Sequence, residues 1–351
     1  MAAYTTIDNP ELWFQAKAFI GNAGTLAVTL DGSEDMSPNL VITKPRETSS
    51  YGHKVWDTVR GVTDYLETNS NGAEGTGLSG LDSFDSNGFT LGSYAGANPS
   101  SAGVVAWCWK AGTSFSNDAS ATGVGDIDSS GSVSQTAGFS ICIYSGSGTS
   151  GHTIKHGLNT APKIIIIKKR SASDNWTMLN TNISLNTHLH LNNNDAAVSD
   201  PMFNNTAPTT SVFTVDSDGQ VNESGHTFIA YCFSEVQGFS KFGSYTGNGN
   251  ADGTFVYTGF RPAFVITKRT NSTSNWHLDD NKRDTFNVTD KRLFPDLSDA
   301  ESTGASRDFL SNGFKIRNTY GGQNGSGDTY IYLAFAESSF VNSSGVPNNG
   351  R

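Results

Sequence analysis

The stretch TFIAYCF, Thr227–Phe233, occurs in the chain in three related versions. The other two are VVAWCW at residues 104–109 and TYIYLAF at residues 329–335. All three are short runs of β-branched and aromatic residues, which is typical of a strand buried on both faces. The chain therefore carries one strand three times, and the rest of the sequence can be aligned outward from it.

A second marker lies at a nearly constant distance before this stretch. A proline opens an apolar run that ends on lysine: PNLVITK from Pro38, PKIIIIK from Pro162 and PAFVITK from Pro262. From each proline to the aromatic residue that closes the later stretch there are 71, 71 and 73 positions. Proline at the first residue of a strand removes no needed ladder donor. The spacing predicts a threefold repeat with the same strand pairing in each copy.

The secondary structure is predicted to be all-β. Apolar runs of four to eight residues alternate with Gly, Asn, Asp and Ser clusters, and no long segment has helical period. A 100-residue unit of about seven or eight strands is typical of a sandwich. We therefore expect three tandem β-sandwich modules of jelly-roll or lectin-like type.

The repeat markers also set the module boundaries. The Ser/Gly-rich composition between the first two modules predicts a linker, and the end of the chain reads as a polar tail. The boundaries are residues 1–112 for module 1, 113–137 for the linker, 138–237 for module 2, 238–339 for module 3 and 340–351 for the tail.

Aromatic residues at repeated positions are the predicted structural core. Trp176 and Trp276 follow their prolines by 14 residues, whereas Trp56 follows its proline by 18, so the third match is looser. The full set is Trp56, Trp107, Trp109, Trp176, Tyr231, Phe233, Trp276 and Phe335. The three cysteines, Cys108, Cys142 and Cys232, are predicted to be buried small hydrophobes rather than a disulfide framework.

Composition excludes several classes of function. The formal net charge is −10, charged residues make up 16% of the chain, and no cluster of Lys and Arg occurs. A nucleic-acid or anionic-membrane binder would carry a basic patch, so we expect neither partner. The first residues, MAAYTTIDNPELWF, lack the basic and apolar regions of a signal peptide, and we expect synthesis in a cytoplasm.

Two histidines are weak candidates for a metal site. His188 and His190 are two residues apart, so on a strand they share a face and could hold a metal ion, particularly near the axis of a trimer. They also alternate with Leu189 and Leu191, as two polar positions on a half-exposed strand would. We favour the second interpretation and expect no metal and no cofactor.

Other polar constellations predict structural roles. DIDSSG from Asp126 starts like a calcium loop but lacks the later bidentate acid, and DSDG and HLDD offer carboxylates without a partnering base. Turns and caps explain them, and we predict no catalytic residues. Lys44, Lys168 and Lys268 recur six residues after each proline. They are expected at a solvated strand end, or alternatively in an ion pair between modules or subunits.

Several blocks together resemble a known group of proteins. YTTIDNPELWFQ, VWDTVRG, LDSFDSNGFTLG, AWCWKAG and GFSKFGSYTGNG, spread over residues 4–339, are similar to uncharacterised repeat proteins of marine tailed bacteriophages, including cyanophages. Such proteins are commonly described as tail-fibre-like or virion structural proteins. The resemblance implies a place in the virion and offers no catalytic residues.

Two functions from different classes follow from this resemblance. The first is a non-enzymatic tail fibre or tail-associated protein that contributes to recognition of bacterial surface glycans through variable polar loops. The alternative is an architectural protein that decorates the capsid or bridges tail parts and binds no receptor. In both, the partners are other virion proteins and further copies of the chain. Open sheet edges need partners, so we expect a symmetric homo-oligomer, and the resemblance to virion proteins implies a homotrimer.

Overall fold

The computed structural model describes residues 4–304 and 306–350. It is all-β, with 42% of residues in strands and 4% in helices, arranged in several separate sheets. The helices are the 3₁₀ helix Pro10–Leu12 and three single turns, α1 (Ala119–Thr122), α2 (Gly219–Asn222) and α3 (Gly321–Asn324).

The strands follow the chain in order. Module 1 contains β1 (Phe14–Ile20), β2 (Leu26–Thr29), β3 (Leu40–Pro45), β4 (Lys54–Asp57), β5 (Gly61–Glu67), β6 (Gly75–Thr76), β7 (Leu81–Asp85), β8 (Gly88–Leu91) and β9 (Gly103–Trp109). The segment after it contains β10 (Thr113–Asn117) and β11 (Ser129–Ser134). Module 2 contains β12 (Phe139–Ser145), β13 (Thr153–Lys155), β14 (Ile164–Lys169), β15 (Trp176–Asn180), β16 (Thr187–His190), β17 (Val198–Ser199), β18 (Val212–Thr214) and β19 (Thr227–Phe233). Module 3 contains β20 (Ser240–Thr246), β21 (Phe255–Tyr257), β22 (Phe260–Arg269), β23 (His277–Asp280), β24 (Arg307–Leu310), β25 (Gly313–Ile316) and β26 (Thr329–Ser339).

One strand order recurs in the main sheet of every module. It is β1-β9-β3-β4 in module 1, β12-β19-β14-β15 in module 2 and β20-β26-β22-β23 in module 3, all antiparallel. The repeated stretch is therefore a central strand that pairs on both sides. A smaller sheet accompanies each main sheet: β2-β8-β7, β13-β18 and β21-β25-β24.

The registers are equivalent as well. The aromatic residue that closes the repeated stretch pairs with the second residue after the marker proline in each module: Trp109 with Leu40, Phe233 with Ile164 and Phe335 with Phe264. The constant spacing in the sequence thus corresponds to one constant pairing in the sheets.

The match of Trp56 with Trp176 and Trp276 is wrong. Trp176 pairs with Lys168, and the position next to Lys44 in module 1 is held by His53, because Thr43 pairs with Lys54. Trp56 lies three residues later, pairs with Val41 and packs on the opposite face of the sheet with Phe89 and Cys108. The sequence comparison followed the residue type, whereas the strand register makes His53, 15 residues after Pro38, equivalent to Trp176 and Trp276, which are 14 residues after their prolines.

Residues 113–137 are not an unstructured connector. β10 pairs with β11, and β11 pairs with β12, so these strands extend the main sheet of module 2 at its outer edge. An edge hairpin is held by backbone hydrogen bonds and needs few apolar anchors, which a Ser/Gly-rich composition can supply. Here Ile127 and Val133 are buried in the core of module 2, with Phe115 packed against them.

The largest apolar cluster joins all three modules. The aromatic residues that close the repeated stretches meet there, with ring centres 5.5 Å apart for Trp109 and Phe335 and 5.7 Å apart for Phe233 and Phe335. The modules therefore surround a common centre instead of forming a linear stack. Modules 1 and 2 have further clusters of their own between the main and smaller sheets. Among the described residues no helix is long and apolar enough to cross a membrane.

Candidate interaction sites

Each module contacts the next through the turn that follows its fourth main-sheet strand. This turn begins at Asp57, Asn180 and Asp280, which occupy equivalent registers. In each case the side-chain Oδ1 accepts a backbone N–H two residues later, at 2.9–3.1 Å. This bond fixes the turn, and the second side-chain oxygen or nitrogen is left to face the neighbouring module.

Between modules 1 and 2 the turn carries a buried polar network. Arg60 Nε donates to Asp57 Oδ2 at 2.6 Å, and the Tyr231 hydroxyl donates to the same oxygen at 2.7 Å. Arg60 also reaches Glu74, which binds Arg170 of module 2 with an Nη2–Oε1 distance of 2.8 Å. Both side chains of the Asp57–Arg60 pair are fully buried. Such a pair is tolerated only when its hydrogen bonds are satisfied.

Between modules 3 and 1 the same network recurs. Arg283 Nε donates to Asp280 Oδ2 at 2.6 Å, and Trp107 Nε1 donates to that oxygen at 3.0 Å. Arg283 reaches Glu301, which binds Arg46 of module 1 with an Nη2–Oε1 distance of 2.7 Å. Asp280, Arg283, Glu301 and Arg46 thus take the roles that Asp57, Arg60, Glu74 and Arg170 have in the first network. The indole of Trp107 replaces the phenol of Tyr231 as the donor to the aspartate.

At the third interface, between modules 2 and 3, the equivalent turn carries no Asp, Arg or Glu. The equivalent positions hold Asn180, Ile183, Ala197, Thr270 and Leu333, and Asn180 Nδ2 is buried without a hydrogen-bond partner among the described residues. Leu333 occupies the position equivalent to Tyr231 and Trp107, and its side chain has no N–H or O–H group that could donate a hydrogen bond. At these equivalent turn positions, the Asp, Arg and Glu side chains are therefore present only at the two interfaces where Tyr231 or Trp107 donates a hydrogen bond to the Asp.

The recurrent lysines also join modules. Lys44, Lys168 and Lys268 are buried, and each ammonium group donates to the carbonyl of the following residue and to a carbonyl of a neighbouring module. Burial lowers the pKa of each to about 8. The predictions of a solvated strand end and of an ion pair are both wrong, because the partners are backbone carbonyls. The carbonyls of the neighbouring modules belong to Ser298, Asn71 and Asn194, respectively.

A small apolar cavity of about 80 Å³ lies at the common centre. Its walls come from all three modules and include Trp107, Tyr231 and Leu333 at equivalent positions. The predicted core aromatics lie around it or in the module cores, and none is more than 6% exposed: Trp56, Trp107, Trp109, Trp176, Tyr231, Phe233, Trp276 and Phe335. Their roles are packing and contact between modules.

His188 and His190 lie on β16 and are both buried, so this strand is not half-exposed. Their Nε2 atoms are 3.2 Å apart, and Gln220 Oε1 lies 3.0 Å from His190 Nε2. Burial, followed by the nearby His188, lowers the pKa of His190. The three side chains form a hydrogen-bonded chain at the edge of module 2. No group of three or more His, Cys, Asp or Glu side chains suited to a metal ion occurs within residues 4–304 and 306–350.

The remaining carboxylate candidates form turns, caps and ion pairs. Asp218 accepts the Gln220 N–H at the start of α2, and Asp126 accepts from both the backbone and hydroxyl of Thr153. Asp279 forms a buried ion pair with Arg307 at 2.8 Å, and its pKa is raised to about 6, chiefly by burial. The three cysteines are buried and free.

A polar recess of about 310 Å³ lies beside the hairpin β10–β11. Its walls are Ser116, Asn117, Asp118, Asp128, Ser129, Ser130, Ile143, Tyr144, Ser145, Arg170 and Thr227. The hydroxyls of Ser116, Ser130 and Ser145 form no hydrogen bond with any residue that the structure describes, whereas Arg170 is held by Glu74. The recess therefore has a fixed charged wall and free hydroxyl groups.

Sequence reasoning missed the two interface networks and this recess. The networks have one sequence signal, the pattern D-x-x-R at residues 57–60 and 280–283, which falls at the same place in modules 1 and 3. The recess has none, since it depends on residues 113–137 adding an edge hairpin to module 2.

The fold and these sites define an all-β protein in which three sheets with the same order of four strands surround one apolar centre. Buried polar contacts join neighbouring sheets around it. Residues 9–339 match the family described as "Domain of unknown function (DUF7483)", and the chain belongs to this family. A comparison with curated proteins found no match.

Proposed function

We propose that this protein is a non-enzymatic structural protein of a bacteriophage virion, a tail fibre or tail-associated component that contributes to recognition of host-surface glycans. The observation that carries the proposal is the polar recess of module 2, whose volume of about 310 Å³ is in the range of small-ligand sites. Free hydroxyls, an amide and carboxylates are the groups that pair with sugar hydroxyls.

The position of the recess supports a recognition role. It is lined by β10 and β11, which have no counterpart in modules 1 and 3, where the equivalent strands β1 and β20 are the sheet edges. The extra hairpin is thus an elaboration of one copy on a frame that folds without it in the other two. Loops and edge elements on a rigid scaffold are frequent binding sites.

Each module is proposed to be a β-sandwich, since the main sheet of module 2 packs against β13 and β18 through Ile165, Phe213 and Cys232. Sheets that face each other in this way share one apolar layer. On the particle the protein is proposed to assemble as a homotrimer with other virion proteins as neighbours. Capsid decoration or tail bridging without receptor binding is the alternative function.

The test is binding of the purified protein to surface polysaccharide and lipopolysaccharide fractions of marine bacteria, measured on an array. We expect saturable binding to a subset of fractions. Ser130→Arg, which fills the recess, should abolish it, while Ser244→Arg, the same change on the exposed face of β20, should leave it intact.

Equal binding by wild type and Ser130→Arg would place the receptor site elsewhere. Absence of binding to every fraction and to whole cells, together with detection of the protein in purified particles by mass spectrometry, would support the architectural alternative. Absence from the particle would contradict both.

A further inference from the structure

The histidine pair on β16 places two imidazole nitrogens side by side. If one ring nitrogen pointed straight at the other, the ring centres would lie about 5.5 Å apart. The centres of His188 and His190 are 4.8 Å apart, with the Nε2 atoms at 3.2 Å. The two rings are therefore inclined to the line that joins the nitrogens instead of lying along it.

The distance between the two Nε2 atoms matches that between two ligands of one transition-metal ion. Two nitrogens at about 2.0–2.1 Å from a tetrahedral zinc ion lie about 3.3 Å from each other. Gln220 Oε1 completes a third corner, 3.0 Å from His190 Nε2. We propose that His188 Nε2, His190 Nε2 and Gln220 Oε1 bind one divalent transition-metal ion of the zinc type, with water as the fourth ligand.

The surrounding groups orient both imidazoles. His188 Nδ1 lies 3.0 Å from the Asp200 carbonyl, so Nδ1 carries the proton and Nε2 presents its lone pair. Asn193 Nδ2 donates to His190 Nδ1 at 3.3 Å, and the Asp195 carboxylate lies 3.8 Å from the same nitrogen. A carbonyl such as that behind His188 is the usual support of a metal-bound imidazole, and the Asp195 carboxylate is the group that would take this role at His190.

Without the ion, one proton occupies the centre. His190 Nε2–H is then shared between Gln220 Oε1 and His188 Nε2. When the ion binds, that proton leaves Nε2 and Nδ1 takes one up opposite Asp195, so His190 stays neutral and no net proton is released.

The site is specific to module 2. At the positions equivalent to His188 and His190, module 1 has Tyr65 and Glu67, and module 3 has Arg292 and Phe294. The fold therefore does not require histidines at these positions. The pair is a feature of one module on a repeated frame.

The test is titration of the metal-free protein with Zn²⁺ by calorimetry, and with Co²⁺ by visible absorption. We expect one ion per chain and a tetrahedral Co²⁺ spectrum. His188→Asn or His190→Asn should weaken binding by more than about 100-fold, beyond the loss of an outer-shell partner. His226→Asn, a change of the same type outside the site, should have no effect.

Gln220→Glu keeps the proposal testable if the histidine variants fold poorly. An ionised carboxylate adds attraction to the cation that an amide lacks, so Zn²⁺ should bind at least about tenfold tighter. Unchanged or weaker binding in Gln220→Glu, or binding to the wild type that persists in folded His188→Asn, would overturn the assignment. Neither result bears on the glycan recess, whose variants are separate.

Discussion

At the scale of single residues, Asp296 is a buried carboxyl group at a position where module 2 has an amide. Its Oδ1 accepts the Trp276 N–H at 3.0 Å, and its buried Oδ2 has no hydrogen-bond partner among the described residues. In module 2 the equivalent residue is Asn192, whose Oδ1 accepts the Trp176 N–H at 2.8 Å and whose Nδ2 donates to Asn175. Burial raises the pKa of Asp296 to about 7.

Asp296→Asn should therefore stabilise the protein at neutral pH. The native state holds a proton on Asp296 up to about pH 7, whereas the unfolded chain loses it near 3.8, so native stability falls as pH rises between these values. Removing this group should raise the free energy of unfolding by about 1–3 kcal/mol at pH 8 and have less effect at pH 4. Urea denaturation at both pH values measures this change in the free energy of unfolding. Asp82→Asn, on an exposed residue, is the control, and an equal loss of stability at both pH values would contradict the argument.

At the scale of elements, the buried lysines at the strand ends connect modules. Lys168 Nζ donates to the Lys169 carbonyl at 2.8 Å and to the Asn71 carbonyl of module 1 at 3.3 Å. Lys168→Met keeps the aliphatic volume and leaves both carbonyls without this donor, which should cost about 2–4 kcal/mol. Lys163→Met, at an exposed position just before the same strand, should change stability by less than about 0.5 kcal/mol. Chemical denaturation in which the two variants behaved alike would show that the ammonium group contributes nothing at the interface.

The turns after the fourth main-sheet strands can be tested by exchanging the first residue, Asp in module 1 and Asn in module 2. Asp57→Asn leaves Arg60 buried beside a neutral amide and should cost about 3–5 kcal/mol. Asn180→Asp places an unpaired carboxylate against Ile183 and Leu333 and should also destabilise, because no arginine is present there. Both keep the Oδ1 bond that fixes the turn. If Asn180→Asp were neutral by thermal denaturation, the third interface would be open to water.

The elements that could be predicted from the sequence are those fixed by spacing. The central strand and its proline-led neighbour were found because pairing partners keep a constant separation along the chain. His53 was missed because histidine replaces tryptophan at the equivalent place, and the hairpin β10–β11 because an edge strand needs little apolar surface. The interface networks depend on which modules face each other, and such long-range pairing leaves no local pattern.

At the scale of the whole molecule, the three modules share one core. Truncating a single side chain at its centre should therefore lower the stability of all three modules. Phe233 contacts Phe139, Phe242 and Phe335, with ring centres 4.7–6.1 Å apart. Phe233→Ala should lower the free energy of unfolding by about 3–5 kcal/mol. In calorimetry the whole protein should still unfold in one cooperative transition, at a lower temperature. Phe286→Ala, at a residue that is 79% exposed, is the matched control and should cost less than about 0.5 kcal/mol. A separate early transition of module 2 alone would mean that the modules unfold independently.

The ring of three modules also limits how copies of the chain can assemble. Their inner faces are already buried against one another, so a homotrimer must use outer edges. Module 3 has an edge strand, β21, with two exposed aromatic residues: Phe255 is 44% and Tyr257 53% exposed. The equivalent residues are Ala27 and Thr29 in module 1, so the fold does not need aromatics there. An exposed apolar edge strand is a site for pairing with another chain.

We therefore expect light scattering of the purified protein to give about 112 kDa, three times the chain mass of 37.3 kDa. Phe255→Lys with Tyr257→Lys should reduce the mass to that of one chain, because like charges on a shared edge repel. The matched change in module 1, Ala27→Lys with Thr29→Lys, should leave the trimer intact. A mass near 37 kDa for the wild type over a wide concentration range would exclude self-assembly in solution. Trimers that survive both pairs of changes would place the contact on another edge, such as β10 or β20, where the backbone of the main sheet is also unpaired on one side.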